Sequence, residues 1–111
     1  MLINRNMEKV IRDGQVAVLY SPGYGAGWYT WNTEHESMLY HPMIVDIVLS
    51  NELDWKVKVE VLASLIWPNA YLGGIRDLTV EWLPVGTPFR ITEYAGSESL
   101  EIRDDVSWQI A

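Results

Sequence analysis

A loop of alternating glycines is the part of this sequence whose residue types best suit ligand chemistry. Gly23, Gly25 and Gly27 lie between a predicted strand and a predicted helix. Free backbone N–H groups in such a loop can form a concave nest for an anion. The spacing matches neither the dinucleotide fingerprint nor the nucleotide-binding P-loop. Two interpretations stay open: the glycines expose anion-binding N–H groups, or they only let the backbone turn around neighbouring rings.

The same loop carries four aromatic rings within eight residues. They are Tyr24, Trp28, Tyr29 and Trp31. Rings at this density suit stacking on nucleotide bases, worth ~1 to 3 kcal/mol per base, or contact with a protein partner. The alternative is that two rings fill the core while two stay partly exposed. The candidate ligand-binding residues of the loop are Tyr24, Gly25, Gly27, Trp28 and Trp31.

A polar face of the last predicted hairpin supplies further candidate contacts. Arg90, Thr92 and Tyr94 alternate along its first strand and therefore share one face. Glu101 falls opposite Arg90 in the predicted register. Because a planar guanidinium can bind a phosphate bidentately, Arg90 is the candidate phosphate contact. The alternative is an ordinary exposed ion pair with Glu101, worth under ~1 kcal/mol.

The same register sets two like charges opposite each other. Glu93 and Glu98 face one another at the turn end of the apolar side of the hairpin, which is an unfavourable pairing. Either a cation or a hydrogen-bond donor lies there, or the turn directs both carboxylates into water.

Catalytic and metal-binding patterns are weak in this chain. His35 and His41 are six residues apart, a spacing that fits neither the i, i+3 nor the i, i+4 helical face, so no metal site is predicted. No serine or threonine lies in a nucleophile elbow. A small hydrolase that uses Glu34, His35 or Glu36 is the least favoured hypothesis. We predict a binding protein without a cofactor, and not an enzyme.

The composition predicts one domain over residues 1–111. A chain of 111 residues with 49% apolar content and no cysteine folds around a single core without disulfides or thiolate zinc sites. The first ten residues lack the apolar core of a signal peptide, and no apolar stretch approaches the ~20 residues that span a bilayer. We therefore expect a cytoplasmic protein with no membrane partner.

The charge disfavours polymeric nucleic acid as a partner. Fifteen acidic and eight basic residues give a net charge of -7, which repels DNA, RNA and anionic lipid. A small anionic ligand remains compatible, because salt screens the mean field within ~8 Å. The alternative function for such a charge is an acidic inhibitor that mimics DNA on a host defence protein.

Turn and cap residues divide the chain into short elements. Asp13-Gly14 suits the type I′ turn of a hairpin. Ala95-Gly96 is the predicted turn of a second hairpin. The segment from Trp55 alternates like a strand but also repeats at helical spacing; we predict a helix, since Asp54 can cap it and Pro68 ends it. The predicted strands cover residues 8–12, 15–21, 78–83, 89–94, 97–103 and 106–111. The predicted helices start at Thr33, through a Thr33–Glu36 capping box, at Pro42 and at Trp55.

These elements predict the α+β class. A small antiparallel sheet carries two or three helices packed on one face. Half-buried aromatic sheets of this size often pair through an edge strand or an open face, so we expect a homo-oligomer.

Four segments resemble a set of small phage and prophage proteins. They are Val16-Ala-Val-Leu-Tyr-Ser-Pro-Gly-Tyr-Gly-Ala-Gly-Trp-Tyr-Thr-Trp-Asn32, Tyr71-Leu-Gly-Gly, Leu83-Pro-x-Gly-Thr-Pro-Phe-Arg-Ile-x-Glu-Tyr94 and Gly96-Ser-Glu-Ser99. On these segments the chain is identified as similar to the anti-CBASS sponge family. The resemblance implies an oligomer in the host cytoplasm that sequesters a cyclic dinucleotide immune signal without cleaving it.

Overall fold

The computed structural model describes residues 8–23, 27–102 and 109–111. Its strands are β1 (Ile11–Arg12), β2 (Gln15–Tyr20), β3 (Thr79–Pro84), β4 (Pro88–Tyr94), β5 (Ser97–Ile102) and β6 (Gln109–Ile110). Its helices are α1 (Pro42–Ser50) and α2 (Trp55–Ile66), with shorter 3₁₀ helices η1 (Glu36–Leu39) and η2 (Gly73–Asp77). The first three residues of the predicted last strand, including Trp108, and the last residue of the predicted 97–103 strand lie outside the described residues.

The predicted α+β class is confirmed. The described strands form two antiparallel three-stranded sheets, ordered β1-β2-β3 and β5-β4-β6. Within the described ranges no helix is long and apolar enough to cross a membrane.

Both predicted hairpin registers are confirmed. Ile11 pairs with Val16 in the first hairpin, and all six pairs of the second match, from Phe89 opposite Ile102 to Tyr94 opposite Ser97. The turn residues have the positive φ angles of a type I′ turn, 53° and 75° at Asp13 and Gly14 and 52° and 84° at Ala95 and Gly96. In each hairpin the two-residue turn therefore fixes which side chains share a face.

Strand β2 lies between two hydrophobic cores. Ala17 and Leu19 are buried against the helices, in a core that includes Ile44 and Val59. The alternate residues of β2 are buried in a second core on the other side, with Phe89 of the second sheet. Since successive side chains of a strand point to opposite faces, the helices cover one face of the first sheet and strand β4 covers the other. Strand β3 is half-buried, as predicted, with four of its six residues partly exposed and Leu83 buried.

The predicted helix at Pro42 is confirmed, and the predicted capping box is wrong. Helix α1 has Pro42 in its first turn, as the sequence indicates. The preceding helical segment begins at Glu36 as a single 3₁₀ turn with His35 before it, three residues after Thr33.

The predicted helix from Trp55 is also confirmed. Helix α2 ends at Ile66, just before Trp67 and Pro68. Asp54 occupies the N-cap position, but its side chain makes no capping hydrogen bond. The segment follows its helical repeat and not its strand-like alternation, because a helix brings Val59 and Ala63 to the core on one face.

His41 makes stability depend on pH below the physiological range. Its Nδ1 accepts a hydrogen bond from Met43 N, 3.3 Å away, at the start of α1. Burial lowers the pKa of His41, and the nearby charge of Glu8 raises it by less. Protonation removes the acceptor and places a positive charge at the positive end of the helix dipole.

We expect His41 to contribute full stability above its unfolded pKa of ~6.5 and to lose that contribution as the pH falls through its folded pKa. Urea unfolding between pH 7.5 and pH 5 measures this loss. The control is His41→Asn, since asparagine also caps helices and does not titrate. Parallel pH profiles for the two proteins would contradict the assignment.

Candidate ligand-binding site

A buried carboxylate holds the glycine-rich loop in place. Glu98 is only 1% exposed, although it lies at the turn end of the second hairpin. Its Oε2 accepts hydrogen bonds from Trp28 N, Thr30 N and Thr30 Oγ1, at 2.8, 2.8 and 2.9 Å. Its Oε1 accepts one from Ser21 N at 2.7 Å. Four donors therefore converge on one carboxylate, a number that suits an ionised acceptor.

These donors belong to Ser21, Trp28 and Thr30, which flank the glycines predicted to form an anion-binding nest, and the anion that they bind is the protein's own Glu98 side chain. Glu98 N also donates to Ser21 O at 2.8 Å, so the hairpin and the loop are bonded in both directions. Of the two alternatives for Glu93 and Glu98, hydrogen-bond donors are present, and they bind Glu98. Glu98 turns inward, whereas Glu93 stays exposed and accepts from Gly96 N.

Two glycines make this close packing possible. A Cβ on Gly27 would collide with Thr30 Oγ1 and would lie 2.9 Å from the Trp31 ring. A Cβ on Gly74 would lie 2.6 Å from the carbonyl oxygen of Gly27. Gly27 is buried and serves as a packing residue, so its N–H does not form an exposed phosphate contact in this structure.

Trp28 is a core residue, and its prediction as a stacking surface is wrong. Its ring is fully buried, and its Nε1 donates to Met38 O at 2.6 Å. Trp67 packs edge-on against it, with ring centroids 5.9 Å apart. The alternative that some loop rings fill the core holds for Trp28, because neither face of its ring is open to a ligand.

Trp31 remains a candidate and has a partner that the sequence alone does not indicate. Trp31 and Tyr71 are 42% and 48% exposed, and their ring centroids lie 4.9 Å apart with the planes tilted by 43°. The two rings come from segments 40 residues apart in the chain. We call Trp31 and Tyr71 the ring pair.

The buried amide of Asn32 holds the ring pair together. Its Oδ1 accepts from Tyr71 N at 2.8 Å, and its Nδ2 donates to Tyr71 O at 2.8 Å. The same Nδ2 donates to Trp28 O at 2.7 Å. Since both backbone groups of Tyr71 bind one side chain, the segment that carries Tyr71 is fixed next to Trp31.

A cation lies on the element that follows the ring pair. A Cβ on Gly73 would lie 2.6 Å from the Tyr71 ring, so that ring covers Gly73. Residues three apart share a face in a 3₁₀ helix, which places Arg76 on the same face of η2. The Arg76 side chain is 78% exposed, with its Nε 3.8 Å from Asp77 Oδ2. Ring faces and a guanidinium are therefore both accessible in this region.

The polar face of the second hairpin is separate from the ring pair. Glu98 points toward the loop, and Arg90, Thr92 and Tyr94 occupy the opposite face because they alternate with the inward residues. Arg90 Nε lies 3.5 Å from Glu101 Oε1, and Thr92 Oγ1 donates to Glu101 Oε2 at 3.4 Å. The predicted pairing of Arg90 with Glu101 is confirmed.

The structure thus brings together only part of the predicted site. Trp31 and Gly27 lie in one region, Arg90, Thr92 and Tyr94 lie in another, and Tyr24 and Gly25 lie outside the described residues. The residues missed from sequence are Asn32, Tyr71 and Arg76. Glu98 is found from sequence only through its unfavourable pairing with Glu93, which indicates a nearby donor and not its place under the loop.

Among the residues of the described ranges, no group of three His, Asp or Glu side chains lies close enough to hold a metal ion. Comparison of the chain with models of protein families, with curated proteins and with solved structures finds no match.

Proposed function

We propose that this protein binds a small cyclic nucleotide by stacking on the ring pair and sequesters it without cleaving it. This makes it a phage-type sponge for an immune signal, acting in the host cytoplasm as a homo-oligomer. The observation that carries the proposal is the exposed ring pair of Trp31 and Tyr71, held by the buried amide of Asn32.

The ring pair supports binding because the backbone that carries Tyr71 is fixed next to Trp31 before any ligand arrives. Two rings that stay about half exposed contribute less to folding than buried rings do. A rigid aromatic surface binds flat ligands at a low cost in conformational entropy. Stacking also tolerates any base, since every base has an aromatic face.

The phosphate contact in this proposal is Arg76. The N–H donors of Trp28 and Thr30 already bind Glu98 and are not available to a phosphate. Arg76 shares a face of η2 with Gly73, against which the Tyr71 ring packs. A guanidinium on the face of η2 that the Tyr71 ring covers would allow one nucleotide to bind both groups.

We expect Trp31→Ala and Tyr71→Ala each to weaken cyclic dinucleotide binding by roughly 5- to 150-fold, the equivalent of ~1 to 3 kcal/mol per stacked base. Isothermal titration calorimetry with cyclic di-AMP and cyclic di-GMP measures the loss. The matched control is Tyr94→Ala, which removes a tyrosine 78% exposed on the separate hairpin face. Loss of binding in Tyr94→Ala with normal binding in the ring-pair variants would place the site on the hairpin instead.

A further inference from the structure

One short segment joins the amide that holds the ring pair to the histidine that caps α1. Asn32 begins the segment, and His41 ends it nine residues later. Overlapping turns connect the two: Asn32 O accepts from His35 N at 2.8 Å, His35 O from Met38 N at 3.0 Å, and Ser37 O from His41 N at 3.0 Å. We call the residues from Asn32 to His41 the connecting segment. Because its turns overlap, the positions of its two ends are coupled.

A row of rings packs along the same segment and leads to the same amide. His41 lies edge-on to Trp67, with ring centroids 5.6 Å apart, and Trp67 in turn lies edge-on to Trp28. Both indoles are buried, and each donates its N–H to an oxygen of the connecting segment. Trp28 O accepts from Asn32 Nδ2 at 2.7 Å, so the row ends at the amide that holds the ring pair. His41 is therefore linked to the ring pair both along the backbone and through packed side chains.

His41 is the member of this row that gains a charge in mild acid. Its neutral Nδ1 accepts from Met43 N at 3.3 Å, at the first turn of α1. Protonation turns this acceptor into a donor that faces another donor. A charged imidazole is also unfavourable at the positive end of a helix dipole, and it is better solvated in water than against a buried indole. Protonation therefore favours conformations in which the ring leaves Trp67 and the cap of α1 opens.

The groups around His41 determine where this change occurs. Glu8, from the segment before β1, favours the charged imidazole, but burial opposes the charge more strongly and lowers the pKa of His41. Burial and Glu36 of η1 raise the pKa of the adjacent Tyr40, which stays neutral. From α1 the imidazole meets a backbone N–H group, and from the end of α2 it meets the neutral ring of Trp67. The imidazole is therefore neutral at pH 7.5 and becomes charged below its ordinary pKa of ~6.5.

We propose that His41 is a pH-sensitive switch for the ring pair. The neutral imidazole holds the connecting segment and keeps Asn32 bonded to Tyr71. The protonated imidazole releases the segment, weakens those bonds and lets the two rings separate. One consequence rests on the proposed function: ligand affinity falls in mild acid. By linkage, a ligand that requires the assembled ring pair must in return make His41 harder to protonate.

Nuclear magnetic resonance between pH 7.5 and pH 5 tests the switch without a ligand. The side-chain amide signals of Asn32 should shift in the native protein with the same midpoint as the His41 imidazole, because the amide changes its hydrogen bonds when the segment loosens. The matched control is His35→Asn, which removes the other histidine of the chain, a residue whose side chain makes no capping hydrogen bond. This variant should keep the native profile, whereas His41→Asn should abolish the shift. Asn32 signals that do not follow the titration of His41 in the native protein, or that shift equally in His41→Asn, would overturn the proposal.

Calorimetry at pH 7.5 and pH 5.5 tests the consequence for binding. Cyclic di-AMP or cyclic di-GMP should bind the native protein at least about 5-fold more weakly at the lower pH, the low end of the usual coupling between sites. Both should bind His41→Asn equally at the two pH values. Native binding that does not change with pH would overturn the regulation. If neither ligand binds at either pH while Asn32 follows His41, the proposed function fails and the switch stands, so the two failures are distinguishable.

Discussion

Glu98→Gln is expected to lower the free energy of unfolding by about 2 to 4 kcal/mol. The glutamine side chain has nearly the same shape, but its NH₂ group cannot accept a hydrogen bond. With the amide oxygen at the Oε2 position, the bonds from Trp28 N and Thr30 N survive, and the new NH₂ faces Ser21 N, donor against donor. Charge-assisted hydrogen bonds are also stronger than neutral ones, so the remaining contacts weaken.

Urea denaturation followed by tryptophan fluorescence measures this loss. The matched control is Glu93→Gln, which makes the same change at the residue directly opposite in the register. Glu93 is exposed and accepts from Gly96 N at 2.8 Å, so its replacement should change stability by less than about 1 kcal/mol. Equal losses in the two variants would show that the buried position of Glu98 contributes nothing special.

Gly74→Ala is expected to destabilise the protein by about 1 to 3 kcal/mol, the usual cost of overpacking. The new methyl group would lie 2.6 Å from Gly27 O and 2.9 Å from Trp28 N, both of them backbone atoms. Relieving the contact would move Trp28 N away from Glu98 Oε2. At a site without this obstruction the same change would stabilise the protein by ~0.4 to 1 kcal/mol, because alanine restricts the unfolded chain.

The neighbouring glycine provides the control. A methyl group on Gly73 would meet the exposed ring of Tyr71, a side chain that can rotate away. Gly73→Ala should therefore change stability little but disturb the ring pair and weaken ligand binding. Thermal unfolding and ligand titration of the two variants separate these effects. A Gly73→Ala protein as unstable as Gly74→Ala would mean that steric contact with a ring is as costly as contact with backbone.

Local rules were sufficient to predict the hairpins and the two α-helices. The type I′ turns at Asp13-Gly14 and Ala95-Gly96 fix the register, because a two-residue loop leaves one pairing. Pro42 and Pro68 bound the helices through the restrictions that proline places on backbone conformation. These features depend on residues close together in sequence.

The division of the strands into two sheets depends on contacts that no local pattern encodes. Strand β2 reads as a continuous apolar run, which indicates burial on both faces. The sequence does not state which element covers each face. The answer requires knowing that Phe89 packs on one side and the helices on the other.

The candidate site was predictable only in part for the same reason. Composition identifies the loop rings as a group but does not separate buried Trp28 from exposed Trp31. Trp28 is buried against Met38, 10 residues further along the chain, and Trp31 packs beside Tyr71, 40 residues further along. The like-charge pair of Glu93 and Glu98 was a useful signal, because an unfavourable pairing marks a place where some other group must intervene.

Reversible capture of an intact ligand tests the proposed function most directly. The protein is incubated with cyclic di-AMP or cyclic di-GMP, the free ligand is removed, and the complex is heated to denature the protein. Mass spectrometry of the released material should show the uncleaved cyclic dinucleotide from the native protein and from Tyr94→Ala, and much less from Trp31→Ala and Tyr71→Ala. Release of a linear or hydrolysed product, or no retention of either ligand by the native protein, would contradict the proposal.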